Sequence, residues 1–293
     1  DGASGKDEFT GYRDFSGNPQ SVNPNSGIVF NANNQPGDMG TGLEPGYYAP
    51  ETRARRLSQL LKQEKYDWTT SDMQQIQLDT KHPGIHRLRD HFLEVLNESS
   101  GRDKVFRSAA ETFINWDGNH AKDAVGPTIY HRLFYHLSIS IFADEIGEKG
   151  TMVLLSTSLV DKSIPRILSS PESPWWDNLN TKEKIETRQE ILSAAWVKTV
   201  QSLQQDYGTS VENWEWGRIH TLEIQHLLGR KKPLNLLFNL GPYPVPGSKG
   251  VLNQLRHKYG PKALKVSSGP STRRVIDFSD AENSDGISPT GQS

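Results

Sequence analysis

Asn33 and Asn34 are adjacent carboxamides that follow a short apolar run, Ile28-Val29-Phe30, and precede a Gln35-Pro36-Gly37 break. A carboxamide held at the end of a buried strand can aim its N–H at a developing negative charge, because the strand fixes its direction. The chemistry that suits such a group is stabilisation of an oxyanion. The plainer account is that both amides shape the turn through side-chain to backbone bonds, and this stretch alone favours it. Arg53 is a second polar candidate. By itself it reads as one of three solvated arginines, with Arg55 and Arg56, on one helix.

The histidines suggest less. His86 and His91 are five apart, as are His131 and His136, so neither pair shares a helix face or makes a metal clip. His220, Glu223 and His226 have helical spacing, yet HxxExxH is not an established zinc pattern. Packing or capping histidines beside Trp214 and Trp216 are the better reading. Asp280 to Gly286 has the composition of a calcium loop but lacks its alternating ligands and terminal Glu, so a solvated turn is expected. Neither a GxSxG elbow nor a Walker glycine loop occurs.

The elements that must position these residues follow from periodicity. Asn23-Pro24-Asn25-Ser26-Gly27 is a turn that launches Ile28-Val29-Phe30 as a buried strand, and a short strand is expected near Phe9 to Phe15. Pro36 to Pro50 is a Gly/Pro loop anchored by Tyr47-Tyr48. A helix begins near Glu51, with Leu57, Leu60 and Leu61 on one face. Thr69-Thr70-Ser71-Asp72 starts another, with Thr70 or Ser71 as N-cap and Asp72 in the first turn. Ile85, Leu88, Phe92 and Leu96 form the apolar face of a third, and Phe106, Ala109, Ala110 and Phe113 that of a fourth.

Pro127 opens a long helix with the stripe Ile129, Leu133, Leu137, Ile141 and Phe142, ending near Gly147. Met152 to Leu168 holds one further helix, interrupted or ended at Pro165. The cleanest pattern is Ile185, Gln189, Leu192, Trp196, Val200 and Leu203, stopped at Gly208. Gly241 to Gly247 is too rich in Pro and Gly for regular structure. Leu264 to Ser267 and Thr272 to Phe278 read as two strands joined at Ser268-Gly269-Pro270. The expected class is α+β, with a strand and loop segment over 1–50, a helical section over 51–235 and returning strands over 236–293 of one incomplete domain.

Composition narrows the function further. The net charge of −2 over 293 residues gives no case for a nucleic-acid surface. No run is long and apolar enough to span a bilayer. With no cysteine, thiolate nucleophiles and Cys-ligated zinc are excluded.

Taken together, several of these segments resemble the penicillin acylase (penicillin amidase) family of N-terminal-nucleophile hydrolases. They are Asn23 through Pro36, Gly46-Tyr47-Tyr48 with Arg53 to Leu57, Asp72 to Asp79, Trp116-Asp117-Gly118, Trp214 to His220, Ser268 through Asp280, and Pro289 to Ser293. The likeness covers essentially the whole chain. It implies part of an αββα fold with a helical excursion, and a precursor that cuts itself into two chains. It also implies a Ser nucleophile at the start of the β chain whose own α-amino group serves as base. In the family an Asn that aligns with Asn33 donates to the oxyanion, and an active-site arginine aligns with Arg53. The substrate class is a linear amide, such as an acylated β-lactam nucleus or an N-acyl homoserine lactone. No cofactor is required. A structural calcium ion would take its ligands mostly from outside this chain, and Asp38 and Glu44 are not assigned to it.

The chain opens with Asp1, not Ser, Thr or Cys. It therefore reads as an internal portion of a β chain, inactive alone. Its expected partners are the amide substrate, the remainder of the β chain and the α chain, with no nucleic acid and no membrane span. A periplasmic or secreted location follows from the resemblance. The competing reading is a binding or scaffold remnant that kept the fold and lost the site.

Overall fold

A computed structural model describes residues 2–12, 14–36, 48–62 and 65–289. Tyr47, Asp38, Glu44 and the Thr290 to Ser293 end of the last matching segment lie outside them. The helices are α1 (Thr52–Leu61), α2 (Thr70–Gln77), α3 (Ile85–Glu98), α4 (Lys104–Asn115), α5 (Gly126–Leu155), α6 (Leu159–Leu168) and α7 (Arg188–Tyr207). A short α8 (Trp216–Ile219), β1 (Thr221–Ile224), α9 (Asn235–Phe238) and β2 (Leu240–Pro244) follow, then β3 (Arg273–Val275) and β4 (Asp285–Ile287).

The core lies among α3 to α7. Ile129, Leu133, Leu137 and Ile141 on α5 are fully buried and face α7, where Leu192, Trp196, Val200 and Leu203 are equally buried. Each such side chain contributes roughly 1.5–3 kcal/mol of transfer free energy. The Trp196 indole N–H donates to Ser99 Oγ at 2.7 Å, and its ring stacks on Phe113 of α4. Asp103 caps α4, and Thr187 with Glu190 forms a capping box on α7. Gly147 takes φ +73 inside α5, a left-handed conformation that glycine adopts without a Cβ penalty, so α5 kinks there. At Gly126 the ring of Trp116 lies where a Cβ would stand, so only glycine permits this packing.

The strand expectations required the most correction. Ile28 to Phe30 is not a strand: Val29 is 66% and Phe30 42% exposed, with no ladder partner among the described residues. A run of that composition forms a buried strand only when a neighbouring sheet supplies hydrogen bonds and cover. The described residues of the Phe9 to Phe15 stretch, 9–12 and 14, are likewise irregular, and a 3₁₀ turn follows at Phe15–Gly17. The described strands form two small antiparallel pairs, β1 with β2 and β3 with β4.

Gly241 to Pro244, expected to be irregular, lies within β2, an exposed edge where proline costs little. Leu264 to Ser267 is not a named strand, although Leu264 and Val266 N–H groups bond the carbonyls of Ile219 and Thr221. Of Thr272 to Phe278 only β3 is a strand, and its partner is β4, not 264–267.

Three helix details also differ. Thr69 is the N-cap of α2, in a reciprocal box with Asp72. Ile185 is exposed and precedes α7. The Met152 to Leu168 helix is two, since α5 ends at Leu155 and α6 begins at Leu159 with Pro165 inside it. The chain is thus a helical core with small peripheral sheets.

Candidate active site

Asn33 and Arg53 come together. Arg53 lies in the first turn of α1, where a cation gains nothing from the helix dipole. Its guanidinium Nη2 donates to the Ala32 carbonyl at 2.8 Å and to Asn33 Oδ1 at 3.0 Å. A guanidinium only donates, so the amide oxygen of Asn33 must face it and Nδ2 must point away. Burial, and then the nearby Arg256 cation, lower the Arg53 pKa.

The Asn33 backbone is held as firmly. Its N–H donates to Asn31 Oδ1 at 2.6 Å, and its carbonyl accepts from the Ala49 N–H at 2.7 Å. Its φ is +60, the left-handed region that Asn tolerates better than most residues. Asn34 turns back on the loop, with Oδ1 near the Ala32 N–H and Nδ2 on the Gln35 carbonyl. Turn shaping therefore describes Asn34, whereas the Asn33 side chain is held by Arg53.

The carrier of Arg53 is itself anchored. Arg56 of α1 makes a bidentate pair with Asp79, its Nη2 2.6 Å from Oδ2, with both side chains largely buried. The Asp79 carbonyl in turn accepts from the Asn253 N–H at 2.8 Å. Sequence reasoning passed over Asp79, which falls just past α2 with no periodic signal.

Asn33, Tyr48, Arg53 and Arg256 line a cavity of about 710 Å³, whose apolar wall includes Leu88, Phe134 and Ile164. His82, His131, Ser248 and Tyr259 also border it. Behind them His120, His220 and His257 complete a cluster packed around Trp116 and Trp216. His220 lies between helix and strand and stacks on Trp216, so the helical His220–Glu223–His226 arrangement does not exist; Glu223 is in β1 and His226 beyond it. Packing was the correct reading of His220. His82, His120 and His257 escaped notice, although Trp116/His120 and Trp216/His220 repeat one four-residue spacing.

One tautomer chain satisfies the ring contacts. His120 Nδ1–H donates to the Gly118 carbonyl at 3.0 Å, which makes His120 Nε2 an acceptor for His131 Nε2–H at 3.2 Å. His131 Nδ1 then accepts from His257 Nε2–H at 3.4 Å, and the buried His257 Nδ1 ends the chain without a partner. Each ring holds one proton and stays neutral. Burial, reinforced by the neighbouring imidazoles, pushes His120 down to about 3 and holds His131 and His257 well below the ordinary histidine value. Burial alone takes His82 down to about 4.

Among the described residues no group of three or more His, Asp or Glu side chains is arranged to hold a metal ion. No helix there is long and apolar enough to cross a membrane.

Comparison with known proteins supplies the family. The chain is 26% identical to the acyl-homoserine lactone acylase QuiP of Pseudomonas aeruginosa and 26% identical to that of Pseudomonas syringae pv. syringae. The enzyme of the same name from Pseudomonas putida is 23% identical. All of the chain is covered in each case, but it spans only 37% of each relative's length. The family model described as penicillin amidase matches residues 1–293. The chain belongs to the penicillin amidase family.

Proposed function

We propose that this chain carries the oxyanion-donor side of an amidohydrolase that cleaves linear acyl-amide bonds. The observation that carries the reading is the Arg53–Asn33 contact at the cavity wall, which leaves the Asn33 Nδ2 as a fixed donor. Attack on an amide carbonyl places negative charge on its oxygen, and a prealigned N–H stabilises that charge without reorganising. Asn33 is the donor and Arg53 positions it. The nucleophile is a Ser at the start of the β chain, outside this segment, activated by its own α-amino group. On this reading the segment belongs to an αββα fold completed by the remainder of the β chain and the α chain of a processed, exported precursor.

The test is hydrolysis of acyl p-nitroanilides by the complete processed protein, followed by release of p-nitroaniline. Turnover that disappears when the N-terminal Ser is replaced supports the reading. A complete protein that binds acyl amides without cleaving them points instead to a binding or scaffold role.

A further inference from the structure

Charge is distributed unevenly along the chain. From Ile224 to Ile276 it carries ten Lys and Arg and no Asp or Glu, although the net charge of the whole is −2. The tip of the β1–β2 hairpin lies in this stretch. Its Leu227, Leu236 and Leu237 are 73%, 80% and 80% exposed, and Leu228 is exposed beside them. Between the two leucine pairs in the chain stand Arg230, Lys231 and Lys232, all exposed and with no ion-pair partner among the described residues. Glu223, the one carboxylate of β1, is taken by the Asn239 amide at 3.0 Å and faces Lys265 at 3.8 Å.

The exposure belongs to a braced structure. Asn239 clamps the tip from within: its Oδ1 accepts from the His226 N–H at 3.1 Å, and its Nδ2 donates to Glu223 and to the Gly229 carbonyl at 3.4 Å. Gly229 is buried, and a Cβ there would collide with Asn239 Oδ1. The Phe238 ring stacks on His226, and α9 packs on the 3₁₀ turn Leu228–Arg230. The leucines therefore cannot fold back onto the core without breaking these bonds.

We infer that this tip docks on an anionic lipid surface. The leucines enter the boundary between headgroups and acyl chains, while Arg230, Lys231 and Lys232 meet the phosphates. That boundary offers an apolar layer and a negative layer side by side, and the long basic side chains keep their charged ends at headgroup level. A nucleic acid would satisfy the three cations but leave the leucines in water. The docking is peripheral and independent of the amidohydrolase reading.

The experiment sediments the complete processed protein with vesicles of equal parts phosphatidylcholine and phosphatidylglycerol, and with vesicles of phosphatidylcholine alone. At low salt, partitioning onto the anionic vesicles should be about tenfold or more stronger. Raising NaCl to about 0.5 M should remove most of that gain. Arg230→Gln/Lys231→Gln/Lys232→Gln should weaken anionic-vesicle binding about 100-fold. Lys104→Gln/Lys149→Gln/Lys182→Gln removes the same charge from exposed positions elsewhere and should bind like the unmodified protein. Leu236→Ser/Leu237→Ser should cost about tenfold or more on the same vesicles, and it decides the matter if the basic triple variant does not fold. Equal binding to the two vesicle types, equal losses in the two triple variants, or a leucine variant that binds undiminished overturns the inference. So does a complete protein that ignores both vesicles, which would show the tip covered by another part of the polypeptide.

Discussion

Arg53 Nη2 sits 3.0 Å from Asn33 Oδ1 and holds the carboxamide with its oxygen toward the helix and its Nδ2 outward. Because the same Nη2 also bonds the Ala32 carbonyl, the arginine fixes the loop and the side chain together. The two roles separate by substitution.

For Asn33 the informative variants are Gly and Asp. Glycine adopts the φ of +60 freely, so Asn33→Gly removes the amide without straining the turn. Asn33→Asp keeps an oxygen for Arg53 but deletes the N–H donor. In the complete protein both should lower kcat by roughly 10²–10³, as loss of one oxyanion donor does, with KM little changed. Steady-state kinetics on an anilide substrate reads this, and a change of less than a few fold removes Asn33 from the mechanism.

Arg53→Gln frees the amide of Asn33 without deleting it. The expected loss in kcat is smaller, about 10- to 100-fold, the range in which loss of an orienting partner falls. The double variant Arg53→Gln/Asn33→Gly should be no slower than Asn33→Gly alone. Full additivity would show that Arg53 acts independently of the amide.

The anchor beneath Arg53 makes a third prediction. Asp79→Ala leaves the Arg56 guanidinium without its bidentate partner in a largely buried position. Stability should fall by about 1–3 kcal/mol. Urea denaturation measures this, and kcat should decline with it as α1 loosens.

Acid should weaken the fold through the histidine cluster. The folded-state pKa of His82 is about 4 and that of His120 about 3, both below the 6.5 of a free imidazole. Below that value the unfolded chain therefore binds more protons than the folded one. The stability held by keeping these rings neutral is complete above pH 6.5 and is lost as pH falls toward 4 and 3. Denaturation free energies measured at pH 7.5, 6 and 5 should drop by about 1–3 kcal/mol per pH unit below pH 6. A flat profile over that range would show that the rings are not buried in the neutral form.

Packing at Gly126 gives a test independent of function. Its α-carbon lies against the Trp116 ring, and that ring borders His120 and Tyr130. Gly126→Ala forces the indole aside at a cost of about 1–3 kcal/mol, read as a fall of several degrees in Tm. An unchanged Tm would mean that the site relaxes freely.

The apolar stripes of α3, α4, α5 and α7 were legible in the sequence because a helix buries residues at a local period, and nearly every stripe residue is buried as expected. The Gly208 stop obeys an equally local rule. The sequence also marked Asn33 and Arg53 as candidates, but the local pattern favoured plainer accounts and only the family resemblance implied roles for them.

What only tertiary structure decided was which of these residues meet. Ile28-Val29-Phe30 has strand composition but no described partner, since a strand exists only as a pair. Gly241 to Pro244 has turn composition yet pairs with β1, because an exposed edge tolerates it. The Arg53–Asn33 bond, the Arg56–Asp79 pair and the His120–His131–His257 relay join segments remote in sequence. No hydropathy period encodes such contacts; they form because packing the helical core brings loops of unrelated pattern into one wall.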